Sequence, residues 1–245
     1  MSSDKTSPQD FYSDSFYNAQ VGGSLKSAQA FVGHLLKLGN FSSVVDIGCG
    51  RGTWLTAFLE SGASRAVGID GQWNKAGDML DKRIEYYPAD LNGPLPALTR
   101  FDAAISLEVA EHLVSAASAP FVEGISGLAD LVMFSAAYTG QPGTNHINTK
   151  PHSFWAEEFS KRGYLVFDYF RPHFWGDASI KPWYAQNTFL YVRPAHWAFE
   201  KLAELGVQPM PNLAFCDCVH PWLYDHWRSR TKRLELDKDI EVISL

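Results

Sequence analysis

Hydrophobic positions along the chain change period in a regular way. From Ser24 to Leu38, "SLKSAQAFVGHLLKL" carries apolar residues at helical spacing and stops at Gly39-Asn40. The pattern then alternates. "SVVDIG" reads as a strand, "TWLTAFLES" as a helix stopped by Gly62, and "RAVGID" as a second strand. A weakly helical stretch through Met79 and Leu80 leads to a third strand, "IEYYPADL", and "FDAAISL" gives a fourth. A helix is expected over 110–127, and "DLVMFSAA" is the fifth strand. Beyond a Gly/Pro-rich loop, "SFWAEEFSKRG" reads as a helix, and "YLVFDYF" and "NTFLYVRP" as two more strands. Strands alternating with helices predict an α/β fold whose mostly parallel sheet is covered by helices on both faces. Only a loop joins the last two strands, so an antiparallel edge is expected.

This pattern divides the chain into a flexible N-terminal arm (1–23), one α/β domain (24–192), and a C-terminal cap and tail (193–245) ending in the charged run "RTKRLELDKDIEV". The 245 residues, 46% hydrophobic and 20% charged, have the balance of a globular protein. No apolar run approaches the roughly 20 residues that cross a bilayer, so no membrane partner is expected. The polar start "MSSDKTSPQDFYSDSFY" has no apolar core of the kind a secretion signal needs. Three cysteines, Cys49, Cys216 and Cys218, make no disulfide framework, and together these features point to the cytoplasm. The formal net charge of −6 argues against non-specific binding to nucleic acid or an anionic membrane.

The candidate chemistry begins where the first strand ends, in Asp46-Ile47-Gly48-Cys49-Gly50-Arg51-Gly52. Glycines there permit a sharp turn and close approach of a ligand to backbone N–H groups. A dinucleotide fingerprint would require glycine where this chain has Thr53. Asp46 would repel a pyrophosphate but suits a ligand ammonium group. A cofactor with an amino-acid end, an adenosine end and no phosphate fits both facts, and S-adenosylmethionine is such a molecule. Asp70-Gly71 ends the second strand, where an acid can accept from ribose hydroxyls, and Asp90-Leu91 ends the third, where a carboxylate and an apolar neighbour suit adenine.

On "VVDIGCGRG", "VGIDG", "PADL" and "FDAAISLEVAEHL", residues 25–192 resemble the class I S-adenosylmethionine-dependent methyltransferases. The resemblance implies a Rossmann-like, seven-stranded sheet with one antiparallel strand. It also implies that Asp46, Gly48, Cys49, Gly50 and Gly52 hold the methionine portion, Asp70 and Gly71 the ribose, and Asp90 and Leu91 the adenine. The chain is also similar to bacterial methyltransferase-domain proteins that carry the two runs seen here as "FSAAYTGQPGTNHIN" and "WYAQN".

The run "LEVAEH" places Glu108 beside the expected methyl group, with Glu111 and His112 three and four residues on. Two carboxylates and an imidazole there make candidate ligands for Mg²⁺ or another divalent metal. The pattern is similar to ubiquinone-pathway O-methyltransferases and to small-RNA 3′-end 2′-O-methyltransferases; in the latter a later histidine completes a metal site. His146 is the first candidate for that place and His152 the second. Without metal, Glu108 would contact cofactor or acceptor and His146 would act as general base. Either way, Glu111 and His146 are the catalytic candidates. Aromatic side chains around 138–187, with Gln186 and Asn187, suit a sugar or flat ring. The expected activity is O-methylation of a small-molecule or carbohydrate hydroxyl. RNA 2′-O-methylation and a non-catalytic S-adenosylmethionine-binding module are the alternatives.

Overall fold

The computed structural model describes residues 14–231, with side chains described from residue 24. Residues 1–13 of the expected arm and 232–245 of the tail lie outside this range. Helix α1 (Asp14–Leu35) begins ten residues before the point at which the apolar periodicity starts. Its inner face buries Ala28, Phe31, Val32 and Leu35. There follow β1 (Ser43–Ile47), α2 (Thr53–Glu60), β2 (Arg65–Asp70), β3 (Ile84–Pro88), β4 (Ala103–Leu107), α3 (Ser118–Leu128), β5 (Leu131–Ser135), α4 (His152–Ser160) and β6 (Leu165–Phe167). Two short helices, α5 (Arg171–Phe174) and α6 (Pro182–Asn187), precede β7 (Phe189–Val192), and α7 (Trp197–Glu204) follows it. A last helix, α8, spans 221–231. Among the described residues no helix is long and apolar enough to cross a membrane.

The seven strands form one sheet in the order β3-β2-β1-β4-β5-β7-β6. The pairs among β1 to β5 are parallel, and β7 runs antiparallel to both β5 and β6. The reversed strand is therefore β7, next to the edge, with β6 outside it. Side chains alternate between two cores, as the two-residue period of a strand requires. Val44, Ile105 and Met133 face a layer with α1 and α2, whereas Val45, Ala104 and Phe134 face α3 and α4. The region after β7 adds to the same cores through Ala198, Leu202 and Cys216.

The expected helix over 110–127 is split. A 3-10 turn covers Ala110–His112, another covers Ser115–Ala117, and regular helix begins only at Ser118. The interruption leaves the acid–histidine run on a tight turn at the end of β4. Strand order reverses between β1 and β4, and open α/β sheets bind ligands in the crevice at such a point.

Candidate active site

Two turns meet in that crevice. The glycine loop leaves β1 with Gly48, Gly50 and Gly52 all at positive φ, and the 108–112 turn leaves β4. They touch through Gly48: a Cβ there would lie 2.3 Å from Val109 Cγ2, and its φ of 85° would strain any other residue. Asp70 braces the loop from β2. Its Oδ2 accepts from the Gly50 N–H at 2.7 Å and Asn74 Nδ2 at 3.2 Å, and its Oδ1 from the Gly71 N–H at 2.6 Å. A carboxylate oxygen accepts two bonds, so Oδ1 keeps capacity for one ligand hydroxyl. Asp46 is buried, and burial followed by the Asp70 charge raises its carboxyl well above the ordinary range. A cation placed against Asp46 would reverse that shift. Asp90 is exposed, and its Oδ1 takes both bonds from Asn92. Leu91 beside it is buried, as is Cys49. Trp73 was not anticipated. Its ring lies over Gly71, which a sequence gives no means to read.

Glu108 has a φ of 57°, a conformation that costs a non-glycine residue about 1–3 kcal/mol and is retained where the surroundings impose it. The surroundings here are explicit. Its backbone N–H donates to the Ser135 carbonyl at 3.2 Å and lies 3.0 Å from Ser135 Oγ. Its Oε1 accepts from Ser135 Oγ at 2.8 Å and Asn187 Nδ2 at 2.9 Å; its Oε2 accepts from Gln141 Nε2 at 2.9 Å and Asn187 Nδ2 at 3.1 Å. Burial raises its carboxyl, while these donors pull the other way. The two motifs "GQPGTNHIN" and "WYAQN" thus converge on one carboxylate, through Gln141 and Asn187.

Glu111 is the opposite case. It is fully buried, and neither carboxylate oxygen has a hydrogen-bond partner of good geometry. Burial and then the Glu108 charge raise it well above the usual carboxylate range, and the nearby N–H groups of Glu111 and Ala137 only partly offset this. Its carboxylate, His112 and His146 bring one ligand atom each within 4.8 Å of one another. His146 Nε2 is 3.9 Å from Glu111 Oε1.

Both histidines have their other nitrogen fixed by a backbone carbonyl. His112 Nδ1 is 3.2 Å from the Asn145 oxygen and His146 Nδ1 is 3.1 Å from the Gln141 oxygen. A carbonyl only accepts, so each Nδ1 carries a proton, which leaves Nε2 as the atom that could ligate. Burial and then His146 lower His112 to about 4, which keeps it neutral at pH 7. Gly143 admits the His146 ring, since a Cβ at that glycine would lie 2.1 Å from it. The loop is stitched to the turn by Ile147 and Asn148 N–H bonds to the Glu111 carbonyl, and Asn148 Nδ2 also reaches the Ala110 carbonyl and Ser118 Oγ.

The candidate set is thereby divided. Glu111, His112 and His146 come together, and Glu108 stands outside that group because Ser135, Gln141 and Asn187 occupy its oxygens. His152, the second candidate for the metal, belongs to a different neighbourhood: its ring nitrogens lie 3.1 Å from the Cys216 carbonyl and 3.0 Å from Asn187 Oδ1.

A family model described as a methyltransferase domain matches residues 18–119. The match covers less than half of the chain, and the fold is that of the class I S-adenosylmethionine-dependent methyltransferases. Solved methyltransferases share the fold of this one. Magnesium protoporphyrin IX methyltransferase from Synechocystis PCC 6803, with bound S-adenosylhomocysteine, is 16% identical with a TM-score of 0.55, over 78% of this chain and 100% of that one. The methyltransferase domain of bacterial CtHen1 is 20% identical with a TM-score of 0.50, over 68% and 98%. An O-methyltransferase family protein from Burkholderia thailandensis is 16% identical with a TM-score of 0.53, over 74% and 58%. No curated protein matched the chain.

Proposed function

We propose that this methyltransferase transfers a methyl group from S-adenosylmethionine to a hydroxyl of a small-molecule or carbohydrate acceptor, with a divalent metal held by Glu111, His112 and His146. Bound S-adenosylmethionine would supply an electrophilic methyl group on sulfur. Asp46 and the N–H groups of the glycine loop would hold its amino-acid end, Asp70 its ribose and Asp90 its adenine amino group. The strand-end placement of these acids around the β1–β4 crevice supports that assignment. Holding both reactants in line is the main contribution a protein makes to such a displacement.

The choice of an oxygen acceptor and of a metal rests on one observation, the buried Glu111 carboxylate without partners, facing His146 and grouped with His112. An ionised carboxylate left so would be costly, and two imidazoles plus one carboxylate are a common ligand set for divalent metals. Metal-binding imidazoles usually donate their other N–H to a carbonyl in this way, which fixes the ring's orientation. A divalent ion would act as a Lewis acid that lowers the pKa of an acceptor hydroxyl. Glu108, its oxygens bonded to Ser135, Gln141 and Asn187, would hold those side chains in place beside the reacting methyl group.

Calorimetry with S-adenosylhomocysteine tests the cofactor assignment. Binding is expected, and Asp46→Asn should weaken it by roughly 10- to 150-fold, the worth of a charge-assisted hydrogen bond. No heat with the wild-type chain would remove the methyltransferase reading. A turnover screen should then include sugars, phenolic rings and an oligonucleotide with a free 3′ end. Turnover on the oligonucleotide alone would replace the small-molecule reading with RNA methylation, and turnover unaffected by chelator would leave His146 as a general base.

A further inference from the structure

The helix expected over 110–127 fails at one identifiable bond. In an α-helix the Val114 N–H would donate to the Ala110 carbonyl, four residues back. Here two side chains take the two halves of that bond. Asn148 Nδ2 donates to the Ala110 oxygen at 3.0 Å, and the Val114 N–H donates to Asn92 Oδ1 at 2.8 Å. A carbonyl can only accept and a backbone N–H can only donate, so neither side-chain amide can be turned round without losing its bond. The Ala110 oxygen also accepts from the Leu113 N–H at 3.3 Å, the spacing of a 3-10 turn. Leu113 and Val114 are extended, with ψ of 158° and 144°.

The two asparagines reach the turn from different loops. Asn92 follows β3, which β2 and β1 separate from β4, and its own N–H and Nδ2 are bonded to Asp90 Oδ1 at 3.0 and 3.2 Å. Asn148 lies two residues beyond His146, is only 3% exposed, and also donates from Nδ2 to Ser118 Oγ at 3.0 Å. The Ile147 and Asn148 N–H groups, at 3.0 and 2.9 Å, take the Glu111 carbonyl, which in a helix would accept from Ser115. Pro120 has no N–H for the Ala116 carbonyl and accounts for a break just before α3. It does not touch the Ala110–Val114 bond, and residues 110–114 contain neither glycine nor proline.

We propose that Asn92 and Asn148 are positioning residues that hold 110–114 out of the α-helix and so set where Glu111 and His112 meet His146. Closing the Ala110–Val114 bond would rewind the turn that carries Glu111 and His112. It would also free the His146 loop from its side-chain anchor at Ala110. The metal role of this placement rests on the reading of Glu111, His112 and His146 given above, whereas the break in the helix does not.

Mn²⁺ affinity and backbone chemical shifts of the full chain test this together. Asn148→Ala should weaken Mn²⁺ binding by about 10- to 100-fold, the range for changing a group that orients a ligand, with affinity for S-adenosylhomocysteine unchanged. Asn92→Ala, which removes an exposed bond to the turn, should weaken it by about 2- to 10-fold. In the double variant, Asn92→Ala with Asn148→Ala, both halves of the helical bond are free to meet. The Cα shifts of 110–114 should then move to helical values while those of the sheet strands stay in place, a local change that a general loss of stability would not produce. Shifts of 110–114 that do not become helical overturn the proposal, as does an unchanged Mn²⁺ affinity in Asn148→Ala. A wild-type chain that binds no Mn²⁺ would overturn the metal reading and the placing of ligands with it. Helical shifts in the double variant would still show that the two asparagines break the helix.

Discussion

Glu108 and Glu111 sit one turn apart, the first half-buried and the second fully buried, and the protein treats them in opposite ways. Glu108 is surrounded by donors from three separate elements, Ser135 at the end of β5, Gln141 in the loop after it, and Asn187 at the end of α6. The Glu111 carboxylate has no hydrogen bond of good geometry and two imidazoles beside it. Donors favour the ionised form of a carboxylate and fix its direction. A buried carboxylate without donors is stable only as the neutral acid or beside a cation. The difference teaches that two like residues in one short motif are specialised by what the later loops bring to them.

The comparison can be broken most severely at Glu111. As Glu111 is a metal ligand in this account, Glu111→Ala should cost more turnover than the roughly 10- to 100-fold lost when a residue that only orients a ligand is changed, and a chelator should reduce the wild-type to the same level. Activity near wild-type in that variant would make the two carboxylates equivalent.

A smaller effect is expected at the clamp. Asn187→Asp sets a second carboxylate against Glu108, so one of the pair must hold a proton. The pH profile of turnover should move upward with affinity for S-adenosylhomocysteine retained. An unmoved profile would show that the clamp does not govern Glu108.

Stability against pH distinguishes the two acids without an acceptor. Burial raises Glu111 well above its ordinary 4.5, so the folded chain binds a proton that the unfolded chain releases. Stability of the metal-free protein is therefore full below about pH 4.5 as far as Glu111 is concerned, and falls as pH rises above it. Thermal unfolding of Glu111→Gln, compared with wild-type between pH 5 and pH 8, should show a flatter dependence. The variant should also be more stable at the upper end by roughly 1–3 kcal/mol, the cost of an unsatisfied buried polar group. A wild-type profile without that decline would mean that Glu111 has partners in solution.

The mildest test is at the loop that carries Gln141. Trp227 on α8 donates its Nε1–H to the Gly140 carbonyl at 3.1 Å. Trp227→Phe should lower stability by about 0.5–1.5 kcal/mol and leave S-adenosylhomocysteine binding intact.

The half of the sheet built from β1 to β4 was legible in the sequence because it is local. The strands carrying Asp46 and Asp70 follow from short apolar runs, and Gly48 to Gly52 announce the turn directly, whereas β3 stops at Pro88, two residues before Asp90. The helix expected over 110–127 was not read correctly, since the 3-10 turn depends on bonds from Ile147 and Asn148, more than 30 residues later. For the same reason Glu108 could not be separated from Glu111 by spacing. Its clamp is assembled from Ser135, Gln141 and Asn187, which carry no helical or strand period linking them. Short helices such as α5 and α6 were missed because four to six residues are too few to show a period.

The most direct test is the amount of Mn²⁺ bound per chain, measured by electron paramagnetic resonance on wild-type, Glu111→Ala and Asn187→Leu proteins. One bound ion in the wild-type, lost in Glu111→Ala and kept in Asn187→Leu, is the predicted result. Mn²⁺ binding that survives Glu111→Ala would contradict the division between the two carboxylates.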